Sequence, residues 1–330
     1  MFRAFARLLF LALLAAAGWL GWALFLPVHP PAGNTVVLLP SGSSSRTIAN
    51  ALEKAGVIRN SYAFLLLHYF RPTRTLKAGE YQFTSDANSV EVLNRIVRGD
   101  ILRHTVVVPE GYTMFEIAQA VESAGLGRAA DFLNIAQHDT ALVRNIDPDA
   151  HSLEGYLFPD TYQFTRTQSM HDIVAAMVHQ FQRQAAVIGL NKDVHRVVTL
   201  ASIVEKETAV PDERPLVASV YENRLRQKIA LAADPTVAYA AMLNGHYRGT
   251  IYQSDLQFDS PYNTYRYAGL PPGPIANPGV ASLKAALQPA ASNYLYFVAE
   301  GNGSGRHRFS SSYEQHQQNV AAYRRAVAQR

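Results

Sequence analysis

The chain has 330 residues, 48% hydrophobic, 17% charged and 10% aromatic, which is enough apolar material for a large core and excludes a disordered or collagen-like polypeptide. It has no cysteine, so disulfide scaffolds, thiol nucleophiles, thiolate zinc sites and iron–sulfur clusters are ruled out. The 30 Lys+Arg against 26 Asp+Glu give a net charge of +4 without a basic block, which argues against nucleic acid and leaves an anionic polymer or a lipid surface open.

Leu8 to Leu26 is a run of 19 residues without a charge, long enough as a helix to cover about 28 Å and cross a bilayer core. Arg3 and Arg7 precede it and the next charged side chain is Arg46, which by the positive-inside rule keeps the N-terminus (1–7) in the cytoplasm and the rest outside. Ala15, Ala16 and Ala17 imitate a signal-peptide cleavage site, but the apolar run continues through Trp19 and Trp22 to Leu26, as an uncleaved anchor does. Pro27, Pro30, Pro31 and Gly33 then stiffen a linker over 27–35.

An internal repeat follows. Pro40–Val57 aligns with Pro109–Leu126 at an offset of 69 residues, with 8 of 18 positions identical. Each copy reads as strand, turn, helix and glycine stop, with Ser44 or Ser45 and Thr113 as helix caps and Gly56 and Gly125 as terminators. Between the copies, Ala78–Phe83 predicts a strand and Ser89–Gly99 a helix. This alternation over 36–103 resembles a LysM-like subdomain, a module type that binds N-acetylglucosamine-containing glycans. Glycan binding and a spacer role both fit it, and the second copy, 104–150, leads into the remainder.

From His151 onward, aromatic and Pro/Gly-rich motifs are dense: SLEGYLFPDTYQF (Ser152–Phe164), TLASIVEKETA (Thr199–Ala209), ADPTVAYA (Ala233–Ala240), SPYNTYRYAGLPPGPIANPG (Ser260–Gly279) and YLYFVA (Tyr294–Ala299). In this order they resemble the MltG family, the YceG-like endolytic murein transglycosylases, along nearly the whole chain. The resemblance implies a lyase in which one carboxylic acid protonates the glycosidic oxygen. The same group then takes the proton of the muramic acid 6-hydroxyl as that oxygen attacks the anomeric carbon, leaving a 1,6-anhydromuramyl end. It further implies peptidoglycan strands as substrate, membrane peptidoglycan synthases as partners, and a cell inner membrane location with the catalytic part in the periplasm.

Two carboxylates, Glu205 and Glu207, lie near the end of a helix predicted from Asn191 to Thr208 and stopped by Pro211. They point about 200° apart, so both cannot face one cleft, and helical geometry alone separates them poorly. The resemblance selects Glu207, because Lys206-Glu207-Thr208 is similar to the Gln-Glu-Ser step of soluble lytic transglycosylases; Glu205 is the second choice. The bland alternative is that both are surface residues paired with Lys206, Arg196 or Arg214.

Tyr262, Asn263, Tyr265 and Tyr267 sit in a long loop stiffened by prolines, where tyrosine faces suit sugar rings and an asparagine suits an acetamido group. Glu154, Tyr156, Asp160 and Tyr162 are candidates for the same cleft, and their plain role is to order a turn around Pro159. Asp234 reads first as a helix cap before Pro235 and second as a sugar ligand. Should two carboxylates be required, Glu154, Asp160 or Asp234 would partner Glu207 in a hydrolase. A glycan-binding scaffold without catalysis is the reading from another class. GNGSG (Gly301–Gly305) predicts a hairpin turn. Neither HExxH nor GxSxG occurs, no serine lies three residues before a lysine, and no histidines are spaced i, i+4, so neither metal nor cofactor is expected. The predicted fold is α+β: a transmembrane helix (8–26), a small α/β LysM-like module and a mixed α+β catalytic domain over 151–330.

Overall fold

The apolar N-terminus forms one helix, α1 (Phe2–Phe25), whose mean hydropathy reaches 2.1, long and apolar enough to cross a membrane. It begins upstream of the expected span and so takes in Arg3 and Arg7. The computed structural model describes residues 2–31, 33–71 and 75–328, so Ala32 of the expected linker lies outside the described residues. The chain divides into two compact units, Met1–Thr105 with Gln163–Ser169, and Val106–Tyr162 with Met170–Arg330.

In the first unit, β1 (Thr35–Leu39), α2 (Ser45–Lys54), α3 (Ser61–Tyr69), β2 (Gly79–Phe83) and α4 (Ser89–Arg98) follow α1. β1 and β2 pair antiparallel from Thr35↔Phe83 to Leu39↔Gly79. Alternation along β1 sends Val37 and Leu39 into the core and leaves Val36 and Leu38 exposed, as a half-buried strand requires. Ile48, Leu52, Phe64, Tyr81, Leu93 and Ile96 fill that core. Ser44 caps α2 through the Thr47 N–H, and Asn88 with Glu91 forms a capping box on α4, which Gly99 terminates in the left-handed region at φ 80°. The end of α1 belongs to this unit: Ala23 and Leu24 are buried beside Ala63, the Ser89 hydroxyl donates to the Ala23 carbonyl, and the Arg59 guanidinium lies 4.9 Å from the Trp22 ring.

The chain passes between the units within β3 (His104–Val107) and β4 (Thr161–Phe164), which pair with one another. In the second unit come α5 (Met114–Ser123), α6 (Ala129–His138), α7 (Met170–Val187), α8 (Val194–Glu207), α9 (Arg214–Arg226), α10 (Asp234–Leu243), α11 (Val280–Leu287), a hairpin of β5 (Tyr296–Ala299) and β6 (His307–Ser310), and α12 (Tyr313–Ala328). Thr113 and Glu116 form the capping box of α5, so the second repeat copy starts its helix as the first does. The expected glycine-rich turn joins β5 to β6, with Gly301, Gly303 and Gly305 all at positive φ.

Helix α8 is the core of this unit. Val198, Leu200, Ala201, Ile203 and Val204 have no exposed surface, and the helix packs on α9, α10 and α11. It starts at Val194 rather than Asn191, because Asp193 adopts a left-handed conformation at φ 50°. His195, in its first turn, bonds the Asp147 carboxylate through Nδ1 (2.8 Å) and the Pro272 carbonyl through Nε2 (2.9 Å). Both partners are acceptors, so both ring nitrogens donate, and the hydrogen bond to Asp147 raises the imidazole above its ordinary value. Burial pushes Asp147 upward, but hydrogen bonds from His195 and the Tyr156 hydroxyl outweigh it and hold the carboxyl low. This network fixes the loop from Ser260 to Gly279 against the start of α8.

Candidate active site

At the other end of α8, Glu207 is the last helical residue; Thr208 is extended and Pro211 opens the next turn. The Glu207 carboxyl borders a cavity of about 380 Å³, whose polar lining comes from Tyr221 and Arg224 of α9, Asp234 of α10, Tyr265 and His316. The Tyr221 hydroxyl donates to Glu207 Oε1 at 2.7 Å. Burial pushes the carboxyl up to about 7; the Tyr221 hydrogen bond draws it down, nearby Asp234 raises it and Arg224 lowers it. Desolvation therefore dominates, and the group exchanges a proton near neutral pH.

Glu205, two residues earlier, turns the other way and is fully engaged. Its Oε1 accepts from Arg214 Nη2 at 3.0 Å and its Oε2 from the Gly279 backbone N–H at 2.9 Å. A Cβ at Gly279 would lie 1.8 Å from Glu110 Oε1, so a larger residue there would make the Glu110 carboxyl shift. Arg214 also lies 3.7 Å from Glu110, whose carboxyl is raised by burial and by Glu205. Of the bland pairings expected for α8, the one with Arg214 holds for Glu205, whereas Glu207 has a tyrosine partner.

Tyr265 and Asp234 share the cavity with Glu207. The Tyr265 hydroxyl donates to Asp234 Oδ1 at 2.5 Å. Asp234 is not the cap that the sequence predicts: it is the first residue of α10, makes no capping hydrogen bond, and leaves that end of the helix to Thr264, whose hydroxyl accepts from the Ala233 N–H. Its carboxylate is thereby left to the cavity.

Five of the other residues expected in the cleft are elsewhere. Asn263 has no exposed surface; its Nδ2 donates to the Leu256 and Phe258 carbonyls and its Oδ1 accepts from the Tyr265 N–H, so it shapes the loop that presents Tyr265 instead of offering an amide to a sugar. Tyr262 packs on Tyr239 with ring centroids 5.1 Å apart, and the cavity lining does not include it. Glu154 is completely buried, where it accepts from the Met114 N–H (3.0 Å), Asn277 Nδ2 (2.7 Å) and Tyr239; burial pushes it up to about 8. Asp160 is exposed, accepting from the Thr161 N–H and Gln180 Nε2 at 2.7 Å each. Tyr267 is exposed and bonded to Asp259. The carboxylates near Pro159 thus fail as partners of Glu207 for opposite reasons, one sealed in the core and one spent on the surface.

A YceG-like family profile matches residues 37–322. The chain belongs to the YceG-like family. It is 35% identical over 304 residues, 86% of this chain and 84% of the relative, to a Bacillus subtilis (strain 168) protein named endolytic murein transglycosylase. A Streptococcus pneumoniae serotype 2 (strain D39) protein of the same name is 29% identical over 360 residues, covering 96% of this chain but 64% of that longer relative. The crystal structure of a YceG-like protein from Listeria monocytogenes matches with a TM-score of 0.57 at 33% identity, over 86% of this chain and 98% of that one.

Tyr221, Arg224 and His316, which no motif singled out, line the cavity beside Glu207. Tyr221 and Arg224 are three residues apart and so share a face of α9, the only local signal they carry. Arg224 donates to the Leu231 and Leu295 carbonyls and lies 5.2 Å from the Tyr296 ring, on which His316 stacks at 5.0 Å. Burial and then Arg224 hold His316 below its ordinary value, so the imidazole is neutral at pH 7. Among the described residues no cluster of three or more His, Cys, Asp or Glu side chains has the spacing of a metal site.

Proposed function

We propose that this protein is a membrane-anchored endolytic lytic transglycosylase of peptidoglycan, with Glu207 as its acid and base. The observation that carries this reading is the Glu207 carboxyl at the edge of a cavity, lifted to about 7 by burial and held by a tyrosine hydroxyl. Its protonated form donates to the glycosidic oxygen as the bond from the muramic acid anomeric carbon breaks. The carboxylate so formed takes the proton of the 6-hydroxyl as that oxygen bonds the same carbon. No water is consumed, and the two fragments together keep the mass of the substrate. Tyr221 orients the carboxyl, while Asp234 and the neutral His316 offer polar contacts to the sugar. Curated relatives named for this activity support the substrate class.

In this reading α1 crosses the inner membrane with Arg3 and Arg7 on the cytoplasmic side, the enzyme faces the periplasm, and the LysM-like first unit adds glycan binding. Cleavage within nascent strands then limits their length beside the membrane synthases that extend them.

One observation favours a second reading: Asp234 borders the cavity with Glu207, so a hydrolase with two carboxylates has its pair available. Product masses decide between them. Full-length protein incubated with uncrosslinked glycan strands is expected to yield anhydro-ended internal fragments, and to lose them on Glu207→Gln but not on Glu205→Gln. Reducing ends carrying added water would transfer the reaction to the hydrolase, and undiminished cleavage by Glu207→Gln would remove the residue from the chemistry.

A further inference from the structure

Helix α3 (SYAFLLLHY) is apolar apart from Ser61 and His68, yet the protein covers only one side of it. Ser61, Ala63 and Phe64 are buried, whereas Tyr62 is 66%, Leu66 41%, Tyr69 76% and the C-cap Phe70 73% exposed. At 100° per residue these four fall within an arc of about 100°, so they form one face. A continuous exposed aromatic and aliphatic face is unusual for a surface in water and marks contact with a membrane or another protein.

What lies against that face follows from α1. Ala23 and Leu24 pack against Ala63 of α3, with Leu20 and Leu67 beside them, and the Ser89 and Arg59 side chains bond the Ala23 and Pro27 carbonyls. Ala23 is three residues, about 5 Å along the helix, short of the end of the apolar run at Leu26. A helix docked at that level is held at the outer boundary of the hydrocarbon, where tyrosine and other amphipathic rings are favoured and an apolar helix face sinks about 5–10 Å.

We propose that the Tyr62, Leu66, Tyr69 and Phe70 face of α3 lies in the outer headgroup region of the bilayer that α1 spans, seating the first unit on the membrane through two contacts instead of one. The proposal rests on the membrane-anchored reading of α1. Its consequence is that the first unit is held at the bilayer surface and does not swing freely on its anchor.

The absence of native cysteine allows a direct test. Single Tyr62→Cys, Tyr69→Cys, Lys54→Cys and Leu13→Cys full-length proteins are spin-labelled in nanodiscs of phosphatidylethanolamine and phosphatidylglycerol. Relaxation by lipid-soluble oxygen is then compared with relaxation by a water-soluble nickel chelate. Labels at Tyr62→Cys and Tyr69→Cys are expected to favour oxygen, as Leu13→Cys does, and Lys54→Cys to favour nickel. Nickel access at positions 62 and 69 with oxygen access at position 13 would overturn the proposal while leaving the anchor intact. Shielding from both reagents would overturn it in favour of a protein partner or a second copy. Nickel access at position 13 would instead defeat the anchor itself. All four positions are exposed in the fold, so each variant keeps its core packing.

Discussion

The two sides of the last turn of α8 place the same side chain in opposite circumstances. Glu205 sits among fixed donors, with Arg214 on one oxygen and the Gly279 N–H on the other. Glu207 faces a cavity and receives one neutral hydroxyl, from Tyr221. Glu205 is therefore a strut with a fixed donor on each oxygen, and Glu207 a carboxyl whose charge is discouraged and whose proton is available. In this pair of glutamates, the fold supplies fixed donors to one side chain and withholds all but a neutral hydroxyl from the other.

The sharpest way to break the comparison is to neutralise each side in turn. Glu207→Gln is expected to lower transglycosylase turnover about 10²–10⁴-fold without lowering stability, read by product masses and thermal melts. The converse change, Arg214→Met, strips Glu205 of its buried cation and is expected to destabilise the fold by about 3–5 kcal/mol, read by urea unfolding. A Glu205→Gln change placed on top of Arg214→Met should recover part of that loss, because no buried charge is then left unpaired. Equal activity losses for the Glu205 and Glu207 variants in folded protein would erase the distinction.

A smaller effect sharpens the assignment of Glu207. Since the acid works protonated and is held at about 7, kcat/KM should fall as pH rises through that value. Tyr221→Phe removes a hydrogen bond that favours the ionised form, so the alkaline limb of the profile should move to higher pH. A limb that stays in place would show that another group controls it.

The smallest effect concerns Glu154, a third contrasting carboxyl. It is raised from 4.5 to about 8, so between those values the folded state binds more protons than the unfolded one, and stability falls as pH rises. Melting temperature should decline across that window, and less steeply in Glu154→Gln. The replacement keeps an acceptor for the Met114 N–H without the buried charge.

The features legible in the sequence were those governed by near neighbours. Ser44 and Thr113 cap their helices and Gly56 and Gly125 end the repeat copies with positive φ, because a cap needs only the next few N–H groups and a stop only a residue that tolerates the left-handed region. The same locality explains why β2, α4 and the GNGSG hairpin stand close to where spacing puts them. Asn263 was misread for the converse reason. An asparagine beside tyrosines offers the same amide to a sugar or to its own loop, and only the closure of Ser260–Gly279 over the Leu256 and Phe258 carbonyls directs it inward.

For this protein the sequence by itself determined the apolar span of α1, the repeated strand–helix units and the family, through periodicity, capping chemistry and the order of its motifs. Tertiary structure alone decided which side chains of those motifs meet. It brought Tyr221, Arg224 and His316 to Glu207 from helices with no motif of their own, released Asp234 from capping, and sealed Glu154 in the core. The physical reason is that burial and hydrogen-bond supply are properties of a neighbourhood assembled from distant segments, and these set whether a glutamate holds a charge or a proton.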